Sequence, residues 1–289
     1  MANLKNHILV PIDFSEQSLI ALGQSYNMAR LTRASMTLIY VIEEHFQLPF
    51  LSKKQDKSID RNIQKEMKKL ADDTYAKSGV KTDFIVVHGK VYEEIQNAAK
   101  KMKSSMIIMG TNGSGKGLKR FIGSNTLRVI REAPCPVISI KGKKHRTGCK
   151  RILLPLDLTK ETKEKVTKAI NVANLFGSHI YLLSVLTTDD EFIVNKLGRQ
   201  MQQVEDFIKQ HEVGCSHEFI HGDDVEDEVL KYSKMIKADL IMIMTQQDSK
   251  LKDMFIDSEA MDVINGSDIP VLSVRPKERK NVGLSPLQY

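Results

Sequence analysis

The sequence lacks long apolar runs, paired cysteines and the common motifs of hydrolytic enzymes. No apolar stretch approaches the ~18 residues that a membrane-spanning helix needs, and the first one, 8–12, stops at Asp13. The three cysteines are odd in number and have no CxxC spacing, so neither a disulfide framework nor a zinc ribbon is indicated. No GxSxG, HExxH or HxGH pattern occurs. These absences favour a cytoplasmic protein that is neither secreted nor inserted in a membrane.

The composition is typical of an ordinary globular protein. The 289 residues are 41% hydrophobic and 27% charged, and this length suggests two domains of similar size. The net charge of +7 favours anionic partners without naming one. The basic residues are spread along the chain and only one short cluster, 141–146, stands out. We therefore do not expect the protein to bind nucleic acid.

The chain contains two copies of one pattern. Residues 7–42 align without a gap with 151–186, and residues 106–140 align with 240–274. Proline and aspartate recur at matched positions of the first pair, and threonine, phenylalanine and proline recur in the second. The second copy is shorter between the two blocks, where a loop or helix can absorb a deletion. A tandem repeat therefore divides the chain into two similar halves.

Each half alternates short strand-like segments with longer helical ones. Five short apolar runs of the first half predict strands at 8–12, 36–41, 82–87, 106–109 and 137–140. Ser15 is placed to cap the first helix, and the charged segment 53–77 is long enough to form another. Strands linked by helices predict an α/β fold, with a mostly parallel sheet covered by helices on both faces.

A polar, basic stretch separates the two halves. Residues 141–148 are interpreted as a linker, with an anion-binding patch as the alternative. We therefore expect one domain at 1–142, a second at 149–276, and a tail at 277–289.

The most informative stretch follows the fourth predicted strand. It is glycine-rich from 110 to 117 (GTNGSGKG), and a helix start follows at 123–126 (GSNT). Glycines let backbone amides approach a ligand where a side chain would obstruct it. Free amides and a hydroxyl at the start of a helix suit a phosphate group. The two segments together predict a phosphate-binding loop.

A P-loop NTPase is a poor match to this loop. The pattern GxxxxGK[ST] fits from Gly110 to Lys116, but Gly117 replaces the hydroxyl that binds magnesium. The predicted helix also begins several residues too late for a Walker lysine loop.

The motifs taken together resemble those of the universal stress protein family. The similarity lies in the opening strand, the end of the fourth strand, the glycine pattern and the passage into the last strand: 10–15 (VPIDFS), 109–111 (MGT), Gly110-x2-Gly113-x9-Gly123-Ser124 and 129–137 (VIREAPCPV). Because the motifs occur in order, and because two copies cover nearly the whole chain, the sequence is identified as a tandem member of this family.

The resemblance implies two open, parallel, five-stranded sheets of order 3-2-1-4-5, flanked by helices in the Rossmann-like arrangement of the adenine-nucleotide alpha hydrolases. It implies an adenine nucleotide, ATP or ADP or AMP with Mg²⁺, in the crevice at the carboxyl ends of the first and fourth strands. Asp13 would hold the adenosine end, and the backbone at Val41 would hold the adenine edge. The implied nucleotide-binding residues are Pro11, Asp13, Val41, Met109, Gly110, Thr111, Gly113, Gly123, Ser124, Asn125 and Thr126.

The second half has lost the glycine loop. Larger or acidic residues replace the glycines at 110, 113 and 123, namely Met244, Gln247 and Asp257, and only Ser258 is kept. Their side chains would block the amides, and the carboxylate would repel a triphosphate. We expect nucleotide in the first half only. Retained Asp157 and Thr245 leave open a different, less anionic ligand, and the alternative is a scaffold without a ligand.

A zinc site in the second half is a competing interpretation. His211, Cys215, His217 and His221 are residues of types that ligate metals. If 216–220 is a strand, His217 and His221 share a face but lie about 13 Å apart at ~3.3 Å per residue, too far for one ion. We therefore assign no metal-binding residue.

The predicted function is nucleotide binding rather than catalysis. Hydrolysis of ATP needs a positioned base or water-orienting group, and the loop offers only hydroxyls and amides. We therefore predict a stress-response or regulatory protein that binds ATP, with no catalytic residue and at most slow hydrolysis. Two alternatives stay open: a scaffold that recruits a protein partner without nucleotide, and an ATPase or phosphotransferase in which Ser124 or Thr126 accepts phosphate.

The resemblance also concerns assembly. In the family, the last strands of two subunits commonly pair, and a tandem chain can make this pair internally. Residues 137–140 would then meet 271–274 and hide two sheet edges. We therefore predict a pseudo-twofold monomer and leave further homodimerisation open.

Overall fold

A computed structural model of the protein describes residues 6–43, 54–111, 122–143, 148–158, 162–245 and 258–276. The elements of the first half are β1 (His7–Pro11), α1 (Glu16–Thr32), β2 (Ser35–Ile42), α2 (Lys54–Ser78), β3 (Thr82–His88), α3 (Val91–Met102), β4 (Met106–Gly110), α4 (Ser124–Glu132) and β5 (Val137–Ile140). Those of the second half are β6 (Arg151–Pro155), α5 (Thr162–Phe176), β7 (His179–Leu186), α6 (Glu191–Lys209), β8 (Cys215–His221), α7 (Val225–Met235), β9 (Leu240–Met244), α8 (Ser258–Gly266) and β10 (Val271–Val274).

The predicted alternation of strands and helices is confirmed. Each strand predicted in the first half is present, within one residue of its expected bounds. Ser15 caps α1, because its side chain accepts a hydrogen bond from the Ser18 amide at 3.2 Å. The charged segment 53–77 forms α2. Part of the predicted linker, 144–147, and the tail 277–289 lie outside the described residues.

The strands of the described residues form one sheet that runs through both halves. Its order is β3-β2-β1-β4-β5-β10-β9-β6-β7-β8, so each half has the predicted order 3-2-1-4-5. The five-stranded sheets of the two halves are thus continuous with each other, and the predicted meeting of residues 137–140 with 271–274 is confirmed. The halves join because β5 and β10 pair antiparallel, with Ile138 opposite Leu272, while the other pairs are parallel.

The sheet is buried on both faces, as parallel strands require. Ile8 and Val10 of β1 pack on one face with helices α1, α2, α5 and α6. Leu9, between them, packs on the other face with α3, α4, α7 and α8. All three side chains are fully buried. This double cover leaves the carboxyl edge of the strands as the place where loops and helix starts can meet a ligand.

The helices were also compared with the requirements of a membrane span. Within the described ranges, no helix combines the length and the apolar character needed to cross a bilayer.

Candidate functional site

The first strand ends in a turn that Asp13 builds. Asp13 Oδ1 accepts hydrogen bonds from the Ser15 amide (3.0 Å) and the Ser15 hydroxyl (2.5 Å). Phe14, between them, is left-handed with φ of 59°, and the matching Leu158 of the second half has φ of 55°. Because both halves share this conformation, it belongs to the turn itself. Asp13 therefore shapes the turn through its bonds with Ser15.

The end of β4 is joined to the start of α4 by hydrogen bonds from one backbone amide and one side-chain hydroxyl. The Gly123 amide donates to the Thr111 carbonyl at 2.8 Å. The Thr126 hydroxyl turns back toward the strand and lies 3.2 Å from the Gly110 carbonyl and 3.3 Å from the Thr111 carbonyl. Thr126 is buried, and its hydroxyl fastens α4 to the end of β4.

The carboxyl ends of β1, β2 and β4 meet at one edge, because β1 lies between the other two and runs parallel to both. The Ile39 carbonyl of β2 accepts the Ile12 amide at 2.8 Å. Alternate residues of a strand present their backbone groups to the same neighbour. Val41, two residues on, therefore presents its amide and carbonyl to the space beyond the end of β1. Pro11 is half-buried at this edge, whereas the Met109 side chain is buried in the core.

Helix α4 begins without a side-chain cap, because its N-cap residue is Gly123. At α1, α6 and α7, by contrast, a serine or aspartate side chain accepts from the first amides. Within the described residues, the amides of Ser124, Asn125 and Thr126 make no hydrogen bond. These amides, at the positive end of the helix dipole, can donate to an anionic oxygen.

Of the two hydroxyls considered as phosphate acceptors, only one is accessible. Ser124 is exposed, and Asn125 beside it is half-buried. The Thr126 hydroxyl is both buried and engaged. The geometry therefore leaves Ser124 as the candidate acceptor.

Gln17 supports the site and was missed by sequence reasoning. A Cβ added to Gly110 would lie 2.9 Å from the Gln17 carbonyl oxygen, so the first turn of α1 packs directly on this glycine. The Gln17 side chain donates to the Ile140 carbonyl at 2.6 Å. Gly110 is thus required so that α1 can pack on β4. The sequence alone does not separate this packing role from phosphate binding, because Gly110 is also part of the glycine-rich loop.

Asn265 brings the second half to the same site. Its Oδ1 accepts the Ile122 amide at 3.1 Å, and its backbone carbonyl accepts from Lys141 Nζ. Ile122 directly precedes the N-cap residue of α4, so α8 of the second half holds the entry to α4. The matching residue of the first half is Arg131, so comparison of the two copies gives no signal for this role.

The structure gathers most of the predicted residues but not all of them. Gly113 lies outside the described residues. The others lie at the carboxyl edge of the sheet or in the first turn of α4, namely Pro11, Asp13, Val41, Met109, Gly110, Thr111, Gly123, Ser124, Asn125 and Thr126. Their contact with a nucleotide stays a prediction.

The corresponding edge of the second half is organised differently. Asp157 Oδ1 forms an ion pair with Lys165 Nζ at 3.3 Å. The buried Thr245 keeps one bond of the first half, because its amide donates to the Val274 carbonyl at 3.0 Å as the Thr111 amide donates to the Ile140 carbonyl at 3.1 Å. The Thr245 hydroxyl also donates to the Val274 carbonyl, at 3.4 Å. Met244, in place of a glycine, is buried in the core. Gln247 and Asp257 lie outside the described residues.

The cysteine and histidine side chains considered as metal ligands have other surroundings in the described residues. Burial raises the pKa of Cys135, Cys149 and Cys215 to about 12, so these thiols are protonated at neutral pH. His217 Nδ1 bonds to Glu205. In the part of the chain that the structure describes, no three metal-ligating side chains come together.

The doubled sheet of order 3-2-1-4-5, with an uncapped helix start at its carboxyl edge, defines a tandem Rossmann-like α/β protein. A model of the universal stress protein family matches residues 5–141 and 148–275. The chain therefore belongs to the universal stress protein family, as the sequence motifs indicated.

This chain is similar to several individual proteins. A universal stress protein of Methanocaldococcus jannaschii is 33% identical over 153 residues, covering 49% of this chain and 85% of the relative. A solved universal stress protein of Archaeoglobus fulgidus is 20% identical, covers 94% of this chain and 99% of its own, and superposes with a TM-score of 0.77. That likeness shows the tandem fold. A universal stress protein solved in complex with cAMP is 15% identical, covering 44% of this chain and 98% of its own, with a TM-score of 0.38.

Proposed function

We propose that this universal stress protein binds an adenine nucleotide in its first half and serves as a nucleotide-dependent regulator in a stress response. The observation that carries the proposal is the uncapped start of α4, held at the end of β4 by the 2.8 Å bond from the Gly123 amide to the Thr111 carbonyl. Unsatisfied amides at a helix start are a ready anion site. Here they lie at the carboxyl edge of a parallel sheet, where nucleotides bind in such folds.

Different residues of the site would contact different parts of the nucleotide. The first amides of α4 and the Ser124 hydroxyl would donate to phosphate oxygens. Asp13 would accept a donor of the nucleoside, and the backbone of Val41 would pair with the edge of the base. Thr126 and Gly110 support the structure of the site. The Thr126 hydroxyl ties α4 to β4, and Gly110 leaves room for α1 to pack against β4.

The proposal assigns no catalytic base to this site. Among the described residues, the start of α4 offers backbone amides, the Ser124 hydroxyl and the Asn125 side chain, and Asp13 lies in the β1–α1 turn, bonded to Ser15. Bound nucleotide would thus act as a signal, and its hydrolysis would be slow. The protein partner that reads this signal, the cytoplasmic location and any further dimerisation stay predictions.

A calorimetric titration of ATP tests the proposal, with and without magnesium. Gly123 has φ of −63°, and among the described residues a Cβ there would meet the Thr111 carbonyl at 3.4 Å and the Thr126 hydroxyl at 4.0 Å, so a side chain fits against them without strain. Asp and Asn are both good N-caps, and they differ in charge. We expect one site per chain, and Gly123→Asp should weaken binding by tenfold or more (about 1.4 kcal/mol) because its carboxylate repels phosphate.

Two matched variants complete the test. The ATP affinity of Gly123→Asn should lie between those of the wild type and Gly123→Asp, because the asparagine side chain competes for the free N–H groups without repelling phosphate. Gly123→Ala should bind almost as the wild type does. ADP, AMP and cAMP in the same titration would identify the preferred nucleotide. Absence of binding by folded, nucleotide-free wild type would reject the proposal in favour of a nucleotide-independent scaffold.

A further inference from the structure

A second cleft, of about 470 Å³, lies where the two halves meet. The first half contributes 133–136, and the second half contributes residues of α5 and the end of β10 with the residues that follow it. The volume is in the range of small-molecule pockets, about 300–1,000 Å³, and such pockets favour boundaries between domains. None of the residues predicted to bind nucleotide lines this cleft among those the structure describes.

The opposite side of the same junction shows that the cleft is a local departure from the repeat. There Gly142 packs so closely on Asp268 that an added Cβ would overlap the Asp268 carbonyl oxygen. The residues that match this pair in the repeat are Pro276 and Pro134, and both line the cleft. The two halves therefore touch directly on one side of the junction, and a cleft separates them on the other side.

The open side carries the guanidinium group of Arg275. Arg275 makes one hydrogen bond, from Nη1 to the Ala133 carbonyl at 3.3 Å, and it forms no ion pair with any residue in the described ranges. Its Nε is buried with no hydrogen-bond partner. Lys168, also in the cleft, is paired with Glu164 at 3.1 Å and bonds to the Arg275 carbonyl. A guanidinium with unused donors in a partly buried site is a strong receptor for an acid group.

We propose that this cleft binds a small organic anion with an apolar body. Arg275 would pair with the acid group, and Asn171 would offer a further polar contact. Val172, Val274 and the prolines of the cleft would cover the apolar part of the ligand. The site requires both halves, so it would give the second half, whose glycine loop is lost, a binding role of its own.

The test uses 8-anilinonaphthalene-1-sulfonate as the probe, because it joins a sulfonate to two aromatic groups. The full chain is titrated by fluorescence, alone and with excess ATP. We expect one saturable site that ATP does not displace. Arg275→Gln should weaken binding by about tenfold or more, because it removes the charge while keeping a donor for Ala133. Val172→Trp should abolish binding by filling the cleft.

Arg61→Gln is the matched control, since it removes the same charge from an exposed position of α2. It should bind the probe as the wild type does, and melting curves should show that every variant is folded. Saturating probe should also slow the reaction of the Cys135 thiol with a disulfide reagent, because Cys135 lines the cleft while Cys149 and Cys215 are buried. The proposal would be overturned by equal affinities of the wild type and Arg275→Gln, by displacement with ATP, or by the absence of saturable binding.

Discussion

At the scale of single residues, Gly110 and Gly123 of one motif have different roles. Gly110 has no room for a Cβ, because the Gln17 backbone lies against it, whereas Gly123 has room and an ordinary φ. The first is needed so that α1 can approach β4. The second matters because it leaves the start of α4 without an acceptor. The same residue type thus serves packing in one place and ligand access in the other.

Gly110→Ala should therefore destabilise the fold more than Gly123→Ala does. The methyl group added at position 110 would meet backbone atoms at 2.9 Å that cannot move aside cheaply, and we expect a loss of about 1–3 kcal/mol. At position 123 the loss should stay below about 1 kcal/mol, the cost of a poorer N-cap. Urea denaturation of the two variants measures both values. Equal losses would mean that the contact with Gln17 is not restrictive.

His7 gives the protein a dependence on pH. Its ring nitrogens bond to Ser104 Oγ and Thr37 Oγ1, each at 2.9 Å. Burial lowers the pKa of His7 below its usual value of 6.5, although Asp83 acts in the opposite direction. The unfolded chain therefore takes up the proton first as the pH falls. Stability is full above about pH 6.5 and is lost below it, until the folded state is protonated as well.

His7→Gln should remove this part of the pH dependence, since glutamine does not titrate. Denaturation at about pH 8 and about pH 5 should show a smaller loss for the variant than for the wild type. Burial also lowers the pKa of His179, which both proteins retain, so the difference between them isolates His7. If the variant and the wild type lose the same free energy of unfolding between these two pH values, His7 is not the source of the pH dependence.

At the scale of elements, the start of α4 is held from outside its own half. Its N-cap glycine offers no side chain, Thr126 ties it to β4, and Asn265 of α8 accepts the amide of Ile122 just before it. Helix α8 thus completes the support of a helix start that we propose binds phosphate. In the proposed site, Asn265 of the second half would therefore be a positioning residue.

Asn265→Ala should loosen the entry to α4. We expect faster hydrogen exchange at the Ile122 amide and a nucleotide affinity reduced by about threefold to tenfold, since a single hydrogen bond is worth about 0.5–1.5 kcal/mol. Asp262→Ala, at an exposed position of the same helix, is the control and should change neither. If the exchange at Ile122 is unchanged, the contact does not hold α4 in solution.

At the scale of the whole molecule, the junction of β5 and β10 makes one sheet of two repeats. Ile138 and Leu272, opposite each other in this antiparallel pair, are both buried in the core. Pairing hides two edges that would otherwise invite association with other chains. The two halves share one hydrophobic cluster across the sheet, so we expect them to unfold together.

Ile138→Ala should destabilise both halves at once. The side chain is fully buried, and its truncation should cost about 2–5 kcal/mol. Hydrogen exchange of β1 and β6 should accelerate to a similar extent. Ile59→Ala, where the isoleucine is exposed, should leave the stability almost unchanged. Persistent protection of one half while the other opens would show that the halves are independent.

The parts of the fold that local patterns encode were predicted well. Apolar period and length are sufficient to place the strands, and a serine before a helical segment is sufficient to place the α1 cap at Ser15. The site was predicted only as a set of positions. Gln17 and Asn265 escaped prediction because their roles depend on contacts across 123 and 143 residues of chain, which no local pattern records.

The sequence by itself determined the repeat and the α/β class, because these follow from local periodicity, and its short motifs indicated the family. The strand order within each half was implied by the resemblance to that family. The family resemblance also implied that β5 and β10 would meet, but only the tertiary structure fixed their antiparallel register, with Ile138 opposite Leu272. The tertiary structure also decided which glycine is required by packing, and that Arg275 is left without an ionic partner among the described residues. These are properties of distances between segments far apart in the chain, and only the packed molecule fixes those distances.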